Sequence, residues 1–156
     1  MKRLESIDLL RGGVMVLMAL DHVRDFFGDT TINPTNPAAT TVPLFFTRWI
    51  THICAPTFFV LMGAGVFLAG RHRPTADLSR SVLLRGLWLI LLEIVVVRCF
   101  GLQFNVDYRA TMLTVLWALG WSMIALAACV HLPPKAVGAI GIAMITTHNL
   151  FDAVPA

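Results

Sequence analysis

Histidines, carboxylates and arginines occur together in several otherwise apolar stretches of this sequence, which indicates a functional polar pocket. An imidazole can attack a thioester, and a neighbouring carboxylate can orient the ring and stabilise the imidazolium. Arginine can hold anionic groups such as phosphates. The candidate catalytic residues are His52, His22, Asp21 and Asp25. The candidate substrate-binding residues are Arg24, Arg48, Glu93, Arg98, His148, Asn149 and Asp152.

Helical spacing places several of these residues on common faces. Asp21, Arg24 and Asp25 stand at i, i+3 and i+4, which are neighbouring positions on one side of a helix. Arg48 and His52 have the same i,i+4 relation. The first group lies at the end of one apolar segment, and the second lies near the start of the next. We therefore expect the two groups to meet at one depth.

A proline lies just after His52 in the second apolar segment. Pro56 has no backbone N–H to donate to the His52 carbonyl, and its ring opens the helix there. Broken helices are tolerated in membranes where they line a cavity. We therefore expect the His52 ring in a polar pocket with residues of the Asp21–Asp25 segment.

The elements that carry these residues are long apolar segments. Of the 156 residues, 57% are hydrophobic and only 13% are charged, whereas soluble domains carry about 25% charged residues. Blocks of about 20 apolar residues match the hydrocarbon thickness of a bilayer. The sequence therefore predicts an all-α, polytopic membrane helix bundle that forms one domain, residues 1–156. Its five predicted transmembrane helices are residues 7–27, 43–69, 82–100, 110–130 and 136–150.

The basic residues predict the orientation of this bundle. They open the first helix, flank the loop after the second and occur in the turn before the fifth. These groups fall on one side of the membrane, which the positive-inside rule makes cytoplasmic. We expect a multi-pass protein of the plasma (inner) membrane with a cytoplasmic N-terminus. The net charge of +3 provides no basic face for nucleic acid, so the expected partner is the lipid bilayer.

Glu93 lies near mid-membrane in this arrangement. A charge at the centre of a membrane helix costs about 2.5–3.5 kcal/mol on insertion scales, so such a residue is paired, protonated or directed into a wet cavity. We predict that Glu93 faces the bundle interior, near Arg24, Arg48 or Arg98.

Two motifs, together with the end of the chain, resemble a known family. The first motif is Ser6–Gly12 (SIDLLRG) with Leu17–Phe27 (LMALDHVRDFF), and the second is Thr51–Gly63 (THICAPTFFVLMG). The ending His148–Asp152 (HNLFD) is similar too. These stretches resemble the heparan-alpha-glucosaminide N-acetyltransferase catalytic-domain family, in its bacterial membrane branch of unknown function.

The resemblance implies a membrane acetyltransferase that takes acetyl groups from cytoplasmic acetyl-CoA and modifies a sugar amine on the far side through a histidine. The family's nucleophilic histidine lies between the first two helices, but residues 28–42 contain none, so His22 and His52 are its substitutes. Family members are longer than this chain. A truncated or half-length member would need a second half or a second copy.

Other functions fit the same residues. Glu93 and the histidines suit a transporter or a proton or cation relay, and an inactive structural fragment is a further alternative. A metal site formed by His22, His52, His148 and Cys54 has no compelling ligand spacing, so no metal is expected.

Overall fold

The computed structural model describes residues 5–27, 40–101 and 113–147. All regular structure in these ranges is helical, which confirms the all-α prediction. The helices are α1 (Glu5–Phe27), α2 (Val42–Thr51), α3 (Cys54–Gly70), α4 (Thr75–Leu92), a π-helical segment (Glu93–Gly101), α5 (Val115–Cys129) and α6 (Pro134–Thr147). They follow the five predicted segments in order.

The second predicted segment is interrupted where Pro56 requires it. Helix α2 ends at Thr51 and α3 begins at Cys54. Across the gap, the Ile53 N–H donates to the Ile50 carbonyl at 3.3 Å, and hydrogen bonding of the α-helical type resumes from Thr57 N–H to the Ile53 carbonyl at 3.1 Å. The intervening bond to His52 is the one that Pro56 cannot donate.

Helix α4 begins seven residues before the predicted segment, at Thr75 rather than at residue 82. Hydropathy marks only the apolar part of a helix, whereas the first turns of α4 are polar. Pro74 precedes the first helical residue, and Asp77 in the first turn is favoured by the positive end of the helix dipole.

Within the described residues, one segment is long and apolar enough to span a membrane. Val42–Gly70, which comprises α2 and α3, extends over 29 residues with a mean hydropathy of 2.0. Helices α5 and α6 are apolar but contain only 15 and 14 residues. Large apolar side chains such as Leu9, Val60 and Ile145 are exposed, at 80%, 68% and 71%.

The chain divides into two compact units, Met1–Gly65 and Val66–Ala156. In the first unit, α1 packs against α2. In the second, α4 packs along α5, and a small buried core of Leu78, Val82 and Ala127 lies between them.

Helices α4 and α5 run antiparallel and approach closely at two glycines. Near one end, the Ser79 hydroxyl donates to the Ala127 carbonyl at 2.7 Å. Further along, a Cβ on Gly86 would stand 2.8 Å from the Gly120 carbonyl oxygen, a separation that real side chains do not tolerate. Glycine therefore permits the backbone contact, because it has no side chain to separate the two helices.

Candidate functional site

A charged network joins α1 to α2 in the first unit, with Asp21 at its centre. An Arg24 Nη2 lies 2.8 Å from Asp21 Oδ1. Arg48 Nη1 lies 3.1 Å from Oδ2 and 3.4 Å from Oδ1. The Thr51 hydroxyl donates to Oδ1 at 2.7 Å. Four contacts from two helices thus converge on one carboxylate.

Helical periodicity on both sides produces this convergence. Asp21 and Arg24 are separated by three residues on α1, and Arg48 and Thr51 are separated by three residues on α2. Residues with this spacing lie on one helix face. Packing the two faces together therefore brings two guanidinium groups and a hydroxyl to the same carboxylate.

The network is largely withdrawn from solvent. Thr51 is 5% exposed, and the side chains of Arg24 and Asp21 are 14% and 19% exposed. Arg48 is the more open member, at 35%. Since a carboxylate removed from water needs charged or hydrogen-bonding partners, the two guanidinium groups compensate its desolvation.

The two oxygens of Asp21 are used unequally in the contacts that the structure describes. Oδ1 interacts with Arg24, Arg48 and Thr51, whereas Oδ2 accepts from Arg48. An ionised carboxylate offers about four lone-pair sites in total. Among these contacts, Oδ2 therefore has acceptor capacity to spare for a further donor.

The two candidate nucleophiles adjoin the network along the chain. His22 follows Asp21 and His52 follows Thr51, and the side chains of both histidines are exposed. Successive residues point about 100° apart on a helix, so the histidines and the network face different directions. His52 also terminates α2, where its N–H donates to the Arg48 carbonyl at 3.0 Å.

The structure therefore brings Asp21, Arg24 and Arg48 together, and it adds Thr51, which we did not predict. A hydroxyl three residues after Arg48 was the available signal, because it lies on the face predicted to meet α1. Further residues predicted from the sequence lie outside the described part of the chain: the side chain of Asp25, and His148, Asn149 and Asp152.

The second polar centre is Glu93, in the other unit. Glu93 is 3% exposed, which confirms its predicted interior position. Its Oε1 accepts from the Thr114 N–H at 3.0 Å, and its Oε2 accepts from the Thr114 hydroxyl at 2.5 Å. Thr114 is the N-cap of α5, and its hydroxyl also accepts from the Leu116 N–H at 3.3 Å.

This arrangement gives Glu93 a clear structural role. The free N–H groups at a helix N-terminus need acceptors, and a negative charge there is favoured by the helix dipole. Glu93 supplies both to α5 from the neighbouring helix. The α-helix changes to a π-helix at the same residue, and Arg98 is half-buried within that π-helical segment.

Metal ligation has no support among the described residues, where no group of three or more His, Cys, Asp and Glu side chains is placed to hold an ion. His148, one of the four candidates weighed from the sequence, lies outside those ranges.

These features define an apolar, helical protein with a membrane-length interrupted helix and a partly buried ion-pair network beside the interruption. Comparison with known protein families matches residues 3–154 to "Heparan-alpha-glucosaminide N-acetyltransferase, catalytic". The chain belongs to this family, which is membrane-associated and uses acetyl-CoA as acetyl donor. Neither the curated proteins nor the solved structures gave a match.

Proposed function

We propose that this protein is a membrane-bound acetyltransferase that transfers the acetyl group of acetyl-CoA to the amine of a sugar, or of a similar acceptor, through a histidine. Family membership supports the general activity. The observation that carries the site is the Asp21 network at the break of a membrane-length helix, with His52 in the break itself. His22 is the second candidate because it adjoins Asp21 on α1.

The imidazole of the histidine is the proposed nucleophile. A neutral His52 nitrogen attacks the thioester carbonyl, so a C–N bond forms, the C–S bond breaks, and coenzyme A leaves as a thiol that carries the imidazole proton. The acceptor amine then attacks the acetylated imidazole. A new amide C–N bond forms, the imidazole leaves, and the amine gives up a proton to the histidine or to water.

The Asp21 network supports this chemistry by positioning and by charge. The carboxylate holds Arg48 and Thr51 in place, and the spare acceptor capacity of Oδ2 suits the N–H of an imidazolium. Moving that ring toward Oδ2 requires a rotamer change at His52 or His22, both of which are exposed and free to turn.

Arg48 is the proposed contact for an anionic group of a substrate. Only its Nη1 is engaged by Asp21, and its side chain is 35% exposed. A guanidinium has five N–H donors in a planar fork, so one edge can hold Asp21 while another binds a phosphate or carboxylate. An anionic group of the acceptor fits this guanidinium. Arg24 takes part through its ion pair with Asp21. A substrate-binding role for Glu93 and Arg98 stays a prediction.

The proposed topology is multi-pass, with the N-terminus and residues 71–80 in the cytoplasm and residues 28–42 outside. The distribution of arginine and lysine supports it. In this topology the Asp21 network lies toward the extracytoplasmic face, where the acceptor is modified. A second copy of the chain, or a partner that supplies further helices, is the proposed protein partner.

Acetyl transfer by histidine variants tests the proposal. The full chain, purified in mild detergent, is assayed with acetyl-CoA and glucosamine as acceptor. His52→Ala should abolish transfer while helix content and the unfolding midpoint stay close to wild type. His72→Ala is the matched control, because His72 is an exposed histidine in the loop after α3, and it should retain full activity. Equal activity of both variants, with His22→Ala active as well, would refute the histidine mechanism.

A further inference from the structure

The antiparallel packing of α4 and α5 brings two loops to one end of the second unit. The contact between Ser79 and Ala127 joins the start of α4 to the end of α5. The loop that precedes α4, residues 71–74, and the turn that follows α5, residues 130–133, therefore lie at the same end. We call this region, residues 71–80 and 130–135, the basic end.

The basic end carries an excess of exposed positive charge. Its exposed cations are Arg71, Arg73, Arg80 and Lys135. Two histidines, His72 and His131, are exposed there too. Within residues 71–80 and 130–135, all of which the structure describes, Asp77 is the single acidic residue. The positive charges therefore exceed the negative ones even when both histidines are neutral, so this surface attracts anions.

Arg71 makes a cation–π contact at the end of α3. Its guanidinium carbon lies 5.1 Å from the centre of the Phe67 ring, over the last turns of α3. This cation–π contact attracts the guanidinium to the ring without using an N–H hydrogen bond. The planar N–H fork of arginine matches a phosphate group.

An exposed apolar surface begins directly beside the basic end. Along α4, Leu84, Leu87 and Trp88 are 56%, 48% and 59% exposed. Leu84 follows Arg80 by four residues, which is about 6 Å along the helix axis. In the turn after α5, Leu132 is 44% exposed among the polar residues. Cations at the rim of an apolar helical surface are suited to the boundary between lipid headgroups and acyl chains.

We infer that the basic end binds the headgroups of anionic phospholipids, with the phosphates on Arg71, Arg73 and Arg80 and the acyl chains along the exposed face of α4. Charge complementarity selects an anionic over a zwitterionic lipid, and the adjoining apolar face selects a lipid over a soluble phosphate. Cations near an anionic membrane surface each contribute about 1 kcal/mol, which is about fivefold in affinity per residue. This inference rests on the proposed membrane topology but does not depend on acetyl transfer.

Quenching of tryptophan fluorescence by brominated lipids tests the inference on the full chain in vesicles. Quenching by brominated phosphatidylglycerol is compared with quenching by brominated phosphatidylcholine at equal mole fraction. The test variant is Arg71→Gln/Arg73→Gln/Arg80→Gln. The matched control, Arg71→Lys/Arg73→Lys/Arg80→Lys, keeps the charge. Arg73→Gln alone is the second variant, for use if the triple glutamine variant does not fold by circular dichroism.

The wild type should prefer phosphatidylglycerol over phosphatidylcholine. In the triple glutamine variant this preference should fall by at least about fivefold, which is the contribution of one cation. The lysine variant should keep most of it, and Arg73→Gln should lie between them. Equal quenching by the two lipids in the wild type, or an unchanged preference in the glutamine variants, would overturn the inference. Complete competition by free glycerol phosphate at the concentration of the lipid would overturn it too, because that result indicates a soluble-phosphate site.

Discussion

Replacement of Thr51 by valine tests the geometry of the Asp21 network. Valine keeps the shape of threonine but lacks the hydroxyl that donates to Asp21 Oδ1 at 2.7 Å. Thr51 is 5% exposed, so water cannot readily replace the lost donor. Hydrogen bonds to charged groups contribute about 1.5–3 kcal/mol. We therefore expect Thr51→Val to lower the free energy of unfolding by about 1.5–3 kcal/mol.

Thr47→Val provides the matched control on the same helix. The Thr47 hydroxyl donates to the Pro43 carbonyl at 2.8 Å in an exposed position, and exposed substitutions of this kind change stability by about 0.5 kcal/mol or less. Both variants are unfolded by adding sodium dodecyl sulfate to the protein in mild detergent, with helix content followed by circular dichroism. Equal destabilisation by the two substitutions would show that the bond to Asp21 does not stabilise the fold.

A double-mutant cycle then assigns the effect to the pair. Asp21→Asn, Thr51→Val and the double variant are compared by the same unfolding measurement. Contacting residues in one network give coupling energies of about 0.5–3 kcal/mol. We expect a coupling in that range between Asp21 and Thr51, and none beyond experimental error between Asp21 and Thr47. Additive effects of Asp21→Asn and Thr51→Val would contradict the network.

Three further predictions concern the rest of the chain. Gly86→Ala should destabilise the fold by about 1–3 kcal/mol through overpacking. Gly138→Ala should be neutral or stabilising, because a Cβ at Gly138 meets nothing within 4 Å. Detergent unfolding compares the two variants, and equal effects would contradict the close contact between α4 and α5. Glu93→Gln removes one charged acceptor oxygen and should cost about 1.5–3 kcal/mol in the same measurement; an unchanged midpoint would contradict its capping role. In a cysteine-free background, an impermeant thiol reagent should label Asn33→Cys but not Thr75→Cys in intact cells, and the reverse pattern would invert the topology.

The helices were predictable because they depend on local properties. Apolar segment length located every helix that the structure describes, and the missing N–H of Pro56 located the break at His52. The early start of α4 was not predicted because its first turns are polar. The π-helical segment from Glu93 was not predicted either, since the insertion of one residue into a helical turn leaves little trace in hydropathy.

The site was only partly predictable because contacts between helices depend on how the faces are rotated against each other. Spacing alone placed Asp21, Arg24 and Arg48 at one depth, and they meet. The sequence did not reveal that the face of α2 with Thr51, rather than His52, contacts α1. We predicted an arginine neighbour for Glu93, whereas the described contacts of its carboxylate are with Thr114. The arginine neighbour stays a prediction. An N-cap threonine is a local signal, but its pairing with a distant carboxylate is not.

Mapping of the acetylated residue tests the central proposal most directly. The full chain is incubated with isotopically labelled acetyl-CoA without acceptor, quenched near neutral pH and analysed by peptide mass spectrometry. We predict labelled acetyl on His52, or on His22 as the second candidate, and its loss when glucosamine is added. Absence of label on both histidines, in a preparation that still transfers acetyl to glucosamine, would contradict a histidine-linked mechanism.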